Sequence, residues 1–132
     1  MKKVLEVRHL TKRYGQHLAL DNVNLTLEKG EVYGLIGRNG AGKTTLIKVI
    51  TKLTRPSQGS VSLFHSTSKS EWTHALKRVG SVIETPVALN HLNARQNLRY
   101  YCKIHHVPNP DKVIDEILDT VGLGHTGKKK IS

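Results

Sequence analysis

The chain has 132 residues, with 21 Lys and Arg against 10 Asp and Glu, a formal net charge of +11. Its length suits one ordinary domain or part of one, and 37% hydrophobic with 23% charged residues excludes a disordered chain. No apolar run approaches the roughly 20 residues that cross a bilayer, and Glu6 and Arg8 interrupt any signal-peptide core at the start. A lone cysteine, Cys102, excludes an intrachain disulfide and fits a reducing compartment. These features predict a cytoplasmic globular protein and leave the positive charge to be explained.

In chain order, Val4 to Leu10 reads as a strand, with Leu5 and Val7 on one face and Glu6 and Arg8 on the other. Tyr14-Gly15-Gln16 reads as a turn. Val23, Leu25 and Leu27 alternate with polar residues, the pattern of a half-buried strand. After the turn Glu28-Lys29-Gly30, the run Val32-Tyr33-Gly34-Leu35-Ile36 lacks alternation, which predicts a strand buried on both faces. A glycine-rich loop and a helix starting near Lys43 follow, and the helix stops at 54–59. Ser60 to Phe64 is predicted as a short strand. Ser70 is the expected cap of a short helix carrying Trp72, Ala75 and Leu76. Val79 to Ile83 is again strand-like.

Beyond Pro86 the pattern becomes helical. Ala94, Leu98, Tyr101, Cys102 and His105 share one face, with Asn93 as cap. Pro108 and Pro110 precede a second helix with the stripe Ile114, Ile117, Leu118 and Val121, ended by Gly122 and Gly124. A basic run, Lys128-Lys129-Lys130, lies near the end. The expected organisation is an α/β core over 1–86 and the start of a helical subdomain over 87–132.

Gly37-Arg38-Asn39-Gly40-Ala41-Gly42-Lys43-Thr44 fits G-x-x-x-x-G-K-[ST] without departure. Glycines let successive backbone N–H groups curl around a phosphate. The helix that opens at the loop's end aims its positive dipole end at the same anion. Lys43 can reach the β- and γ-phosphates, the Thr44 hydroxyl can take a Mg²⁺ position, and Thr45 stands beside a neighbouring phosphate. A chance match in a chain of this size is on the order of 1% or less, and a strand before and a helix after the loop fit the motif. A P-loop NTPase fold is the prediction.

The surroundings resemble the ATP-binding subunit of ABC transporters. The carriers are Leu5 to Gly15, Leu20 to Leu25, and the loop itself, where Asn39, Gly40 and Ala41 add to the bare motif. The resemblance implies that Tyr14 stacks on the adenine ring, an interaction worth about 1–3 kcal/mol for aromatic–base pairs; a tyrosine packed near a turn is the plainer alternative. It also extends through Val79 to Pro86, where the family usually has a glutamine touching Mg²⁺ and the attacking water, and this chain has Glu84. Glu84 with Ile83, Thr85 and Pro86 resembles the bacitracin and lantibiotic-immunity branch of bacterial exporters, as do Asn93 to Leu98 and Val121 to Lys130. By resemblance, Lys43 and Glu84 serve catalysis, Thr44 and Glu84 hold Mg²⁺, and Gly37 to Thr45 with Tyr14 hold ATP. Pro86 to His91 would face a membrane partner.

The resemblance stops at the first half of the family's domain. The sequence has no Leu-Ser-Gly-Gly-type signature and no buried strand ending in Asp-Glu. Val113-Ile114-Asp115-Glu116 only imitates such an end, because Ile114, Ile117, Leu118 and Val121 impose a helical period. The chain is therefore expected to be the N-terminal part of a longer subunit, truncated before the signature, which binds ATP without efficient turnover. The implied partners are transmembrane permease subunits and a second nucleotide-binding subunit. The implied location is the inner face of the cell membrane, and transport of a peptide antibiotic is the expected role. The alternatives are a non-transport ABC ATPase acting on nucleic acid or the ribosome, and another P-loop NTPase.

Eight histidines raise a metal reading, but His9, His17, His65, His74, His91 and His125 are scattered, and His105 and His106 point apart on a helix. They are expected to be ordinary. The cations are dispersed and aromatics are 5%, too few for stacking platforms on a single strand. No nucleic-acid partner is expected.

Overall fold

The computed structural model describes residues 2–66, 68–84 and 88–125. The chain divides into two compact units, Met1–Thr85 and Pro86–Ser132.

In the first unit, β1 (Lys3–Tyr14) and β2 (His17–Glu28) form a long antiparallel hairpin closed by the two-residue turn Gly15-Gln16. The third strand, β3 (Gln58–Leu63), pairs antiparallel with the other edge of β1, giving the order β2-β1-β3. Leu5 and Val7 are buried, as their alternation demands. Leu10 breaks the period of two yet is fully buried, because His9 takes φ 48° and the register shifts there against both neighbours. This bulge turns Leu10 back toward the core. Asn24 Oδ1 accepts from the His9 N–H at 2.9 Å, and His9 Nδ1 lies 2.9 Å from Asn22 Oδ1. Opposite the bulge stands Gly59 at φ +82°, where a Cβ would sit 2.3 Å from the His9 carbonyl oxygen.

Two helices of eight residues join this sheet, α1 (Lys43–Ile50) and α2 (Lys69–Leu76). Leu46 and Val49 of α1 and Ala75 of α2 complete a core with Leu5, Val7, Leu10, Leu20, Val61 and Leu63. The helix α2 begins earlier than its sequence suggests. Ser68, not Ser70, is the cap, because Glu71 lies three residues on and closes a capping box with it.

Two predicted strands are corrected. Residues 31–38 form no strand, and Val32 and Ile36 are 100% and 97% exposed. Residues 79–83 form none either, and Val82 is exposed while Val79 packs on the core. The reason is lateral. Strands are made by neighbours, and among the described residues the sheet pairs only β2, β1 and β3, with neither segment joined to it. Among the described residues, no backbone hydrogen bond is made by residues 32–36.

The second unit is a helical hairpin of α3 (Ala94–Ile104) and α4 (Pro110–Thr120). Asn93 caps α3 as predicted, in a capping box with Gln96, and Pro110 opens α4 at its first turn. Cys102, Ile114 and Leu118 are the core, with Ala94, Leu98 and Val107 against it. The predicted stripes were too wide: Tyr101, His105, Ile117 and Val121 are exposed. The two helices meet along the i, i+4 line through Ile114 and Leu118, so residues one position off that line face outward. Arg95 pairs with Asp115 and Arg99 with Asp111 across the hairpin. Buried Asn97 ties the incoming chain, accepting from Leu89 N–H and donating to the carbonyls of Leu89, Leu92 and Asn93.

Candidate functional site

The phosphate loop leads straight into α1. Its glycines are needed for two different reasons. Gly40 at φ +84° has open space around it, so its constraint is the left-handed backbone alone. Gly42 at φ +86° is also crowded: a Cβ there would stand 2.3 Å from the Ala19 carbonyl oxygen and 2.9 Å from Leu20 Cδ2. The start of α1 is thus pressed against β2, and only glycine fits the junction.

That close approach makes a cavity of about 400 Å³, lined by His17 and Ala19 on β2 and by Asn39, Gly40, Gly42, Lys43, Thr44 and Thr45. Gly42 caps α1 without a side-chain hydrogen bond. The first helical bond runs from Leu46 N–H to Gly42 O, so the N–H groups of Lys43, Thr44 and Thr45 have no partner within the helix. Lys43 Nζ donates to the carbonyl oxygens of Gly37 and Arg38 at 2.5 and 2.7 Å, which holds its charge over the loop. Ala41 N–H donates to Arg38 O at 3.1 Å, curling the loop. A lysine ammonium, two hydroxyls and three unclaimed N–H groups around one cavity suit an anion with several oxygens.

The other predicted site residues are placed as follows. Gly37 and Arg38 lie outside the cavity wall and act through their carbonyls on Lys43, and Ala41 is exposed between the glycines. Tyr14 ends β1, 46% exposed, with Lys12 Nζ 4.7 Å from its ring centre; it does not line the cavity. Glu84 takes φ +64° and its carboxylate lies 3.5 Å from Lys48 Nζ. Lys48 is one turn beyond Thr44 on the same face of α1. Glu84 thus stands beside the Thr44 face of the helix but outside the cavity. Thr85, Pro86 and Val87, and the tail Thr126–Ser132 with Lys128-Lys129-Lys130, fall outside the described residues.

Two wall residues escaped the sequence reading, His17 and Ala19. The signal was present in the turn. Gly15-Gln16 is a two-residue loop, so Tyr14 and His17 are partners across the hairpin and point to the same side of the sheet. Cys102 is buried on the helical hairpin, as an apolar thiol. No cluster of three or more His, Cys, Asp or Glu suited to a metal occurs among the described residues, and no described helix is long and apolar enough to cross a membrane.

The model for the ABC transporter family matches residues 20–132. The bacitracin transport ATP-binding protein BcrA of Bacillus licheniformis is 37% identical over 131 residues, 99% of this chain and 42% of that protein. The lantibiotic transport ATP-binding protein SrtF of Streptococcus pyogenes is 36% identical over 129 residues, covering 97% of this chain and 54% of that protein. Among solved structures, an ATP-binding subunit of an ABC transporter aligns with a TM-score of 0.83 at 26% identity, over 96% of this chain and 54% of its own. A putative ABC transporter ATP-binding protein from Pyrococcus furiosus aligns at 0.80 and 26%, over 96% and 60%. The chain therefore spans about half the length of these relatives. The motif, the helix it opens and the family match agree: this chain belongs to the ABC transporter family.

Proposed function

We propose that the chain holds Mg²⁺·ATP for a bacterial exporter whose cargo is a peptide antibiotic. The observation that carries the nucleotide reading is the cavity between β2 and the phosphate loop, with Lys43, Thr44 and Thr45 and their unclaimed N–H groups on one wall. Residues present suit the ligand: Gly40 leaves open space at the loop, and Gly42 lets the start of α1 lie close against β2. Lys43 neutralises the β- and γ-phosphates, the Thr44 hydroxyl binds Mg²⁺, and Thr45 takes a further phosphate oxygen. Bound Mg²⁺ supplies charge neutralisation between the phosphates. Tyr14, beside the turn of the hairpin, stacks the base on the ring face opposite Lys12. Glu84 senses the Thr44 side of the site, and the segment after it couples the site to a permease.

The antibiotic cargo is supported by the similarity to BcrA and SrtF, which are named for bacitracin and lantibiotic transport. On this reading the whole subunit works at the inner membrane face, with transmembrane permease subunits and a second nucleotide-binding subunit. Hydrolysis needs a group that positions or activates water, and the 132 residues contain neither the signature stretch nor the Asp-Glu strand end. The chain alone binds ATP without efficient turnover.

Titration with ATP and Mg²⁺, for the chain and for Lys43→Ala, tests the site. Loss of a charge-assisted contact worth roughly 1.5–3 kcal/mol weakens binding about tenfold or more. Unchanged affinity would overturn the site. Rapid ATP hydrolysis by the 132-residue chain, abolished in Lys43→Ala, would overturn the division between binding and turnover.

A further inference from the structure

We infer that the first unit carries a second anion site, at the far end of α1 from the phosphate loop, which takes a phosphate group borne on an apolar body. It goes beyond the nucleotide reading and does not depend on it. A cavity of about 470 Å³ opens between the loop that follows α1 and the helix α2, lined by Lys52, Thr54, Arg55, Pro56, Lys69 and Trp72. It shares no residue with the phosphate cavity. Three of its lining residues are cations and none is acidic. Among the described residues, Lys52, Arg55 and Lys69 form no ion pair. Carboxylates of the same unit are engaged elsewhere: Glu71 in the capping box with Ser68, Glu6 with Lys3 and Arg8, and Glu84 with Lys48.

The walls are held in place by the protein's own bonds. Lys52 Nζ donates to Thr73 Oγ1 at 3.0 Å and to the Lys69 carbonyl oxygen, and it lies 5.4 Å from the Trp72 ring centre. Its ammonium is thus fixed against the indole with no carboxylate beside it. The loop bearing Arg55 is pinned to β1: the Arg55 carbonyl accepts from Lys12 Nζ at 2.8 Å, and Ser57 N–H donates to the Thr11 carbonyl at 2.8 Å. Arg55 and Lys69 are exposed, while Lys52 and Trp72 are half-buried. One cation beyond α1 answers the negative end of its dipole; three around one cavity, without counter-charge, suit an anionic ligand. Among the described residues, Trp72 Nε1 is buried with no hydrogen-bond partner, a donor that an oxygen of the ligand would satisfy. Trp72 and Pro56 make part of the wall apolar. A bare phosphate leaves that surface uncovered, whereas a phosphate ester, free or in a phospholipid headgroup, covers it with its carbon body.

Trp72 is the chain's single tryptophan, so its emission reports on this cavity directly. The test titrates the nucleotide-free 132-residue chain, Arg55→Gln and Lys69→Gln at constant ionic strength. The probes are phenyl phosphate, inorganic phosphate, vesicles of phosphatidylglycerol in phosphatidylcholine, and vesicles of phosphatidylcholine alone. A saturable change in emission is expected with phenyl phosphate, with phosphatidylglycerol, or with both. The first alone assigns a soluble ester as the ligand, and the second alone a lipid headgroup. Each variant is expected to weaken the response about two- to fivefold, the effect of one exposed charge contact. Both replace exposed side chains, so their far-UV circular dichroism should match that of the parent. Inorganic phosphate is expected to bind more weakly than phenyl phosphate. The site is overturned by no saturable change with either ester, by an equal change with phosphatidylcholine alone, or by unchanged affinity in both variants. Inorganic phosphate binding as tightly as phenyl phosphate overturns the apolar body.

Discussion

Two apolar stretches flank the phosphate loop, Val32 to Ile36 before it and Leu46 to Ile50 after it, and they meet opposite fates. Leu46 and Val49 are buried in the core of the first unit, whereas Val32 and Ile36 are almost wholly exposed. Their compositions are similar, so hydrophobicity does not decide between them. The difference is where each finds partners for its backbone. A helix bonds its own N–H and C=O groups within four residues, so α1 closes locally and then needs only a face to bury. A strand has no such internal partner, and its burial waits on neighbours far away in the chain. The motif loop between them belongs to the helix side of this divide, which is why its geometry is complete.

The largest test of the contrast is Leu46→Ala, which removes packing from the buried side. It should lower unfolding free energy by about 2–5 kcal/mol, measured by urea denaturation, while Ile36→Ala should change it by less than about 0.5 kcal/mol. Equal losses would show that residues 32–36 are packed after all. Next comes the junction itself. Gly42→Ala places a Cβ against the Ala19 carbonyl in a left-handed backbone, a strain of order 1–3 kcal/mol. Both stability and nucleotide affinity should fall in that variant; loss of neither would separate the loop from the sheet. In the second unit, Asn97→Leu leaves the buried groups around Leu89 and Leu92 without their partner, a cost of about 1–3 kcal/mol. That loss should appear in the helical signal before the rest of the chain unfolds.

The smallest effect is electrostatic. The side-chain hydrogen bonds from Lys3 and then Arg8 hold the Glu6 carboxyl below its ordinary range. A lowered carboxyl stabilises the fold above its unfolded pKa and loses that contribution as pH falls through the folded value. Glu6→Gln should therefore narrow the difference in stability between pH 7 and pH 3, and an identical acid sensitivity would remove Glu6 from the account.

What could be read from the sequence follows the same divide. The loop, α1, the Asn93 cap and the Pro110 start are all written in short-range signals, residues three or four apart that satisfy one another. Ser70 is not the cap, because the capping box needs Glu71 three residues on, and that spacing selects Ser68. Leu10 in the core was unreadable by alternation, since a bulge at His9 resets the period. Whether Val32 to Ile36 forms a strand depends on a neighbour, and no local pattern contains that information. The wall residues of the cavity were missed for a related cause. His17 and Ala19 reach the loop through hairpin pairing and a contact across 23 positions in sequence, from Ala19 to Gly42.

Gly59 has a bearing on how the first sheet assembles. Its bare Cα faces the His9 bulge with no room for a further atom, so the two strands fit as a key fits a ward. Sliding β3 by one residue along β1 would bring Ser60 or Gln58 against that bulge, where a side chain collides. It would also turn Val61 and Leu63 out of the core. One missing side chain therefore excludes the misaligned pairings that a short six-residue strand would otherwise sample, and the sheet has a single way to lock.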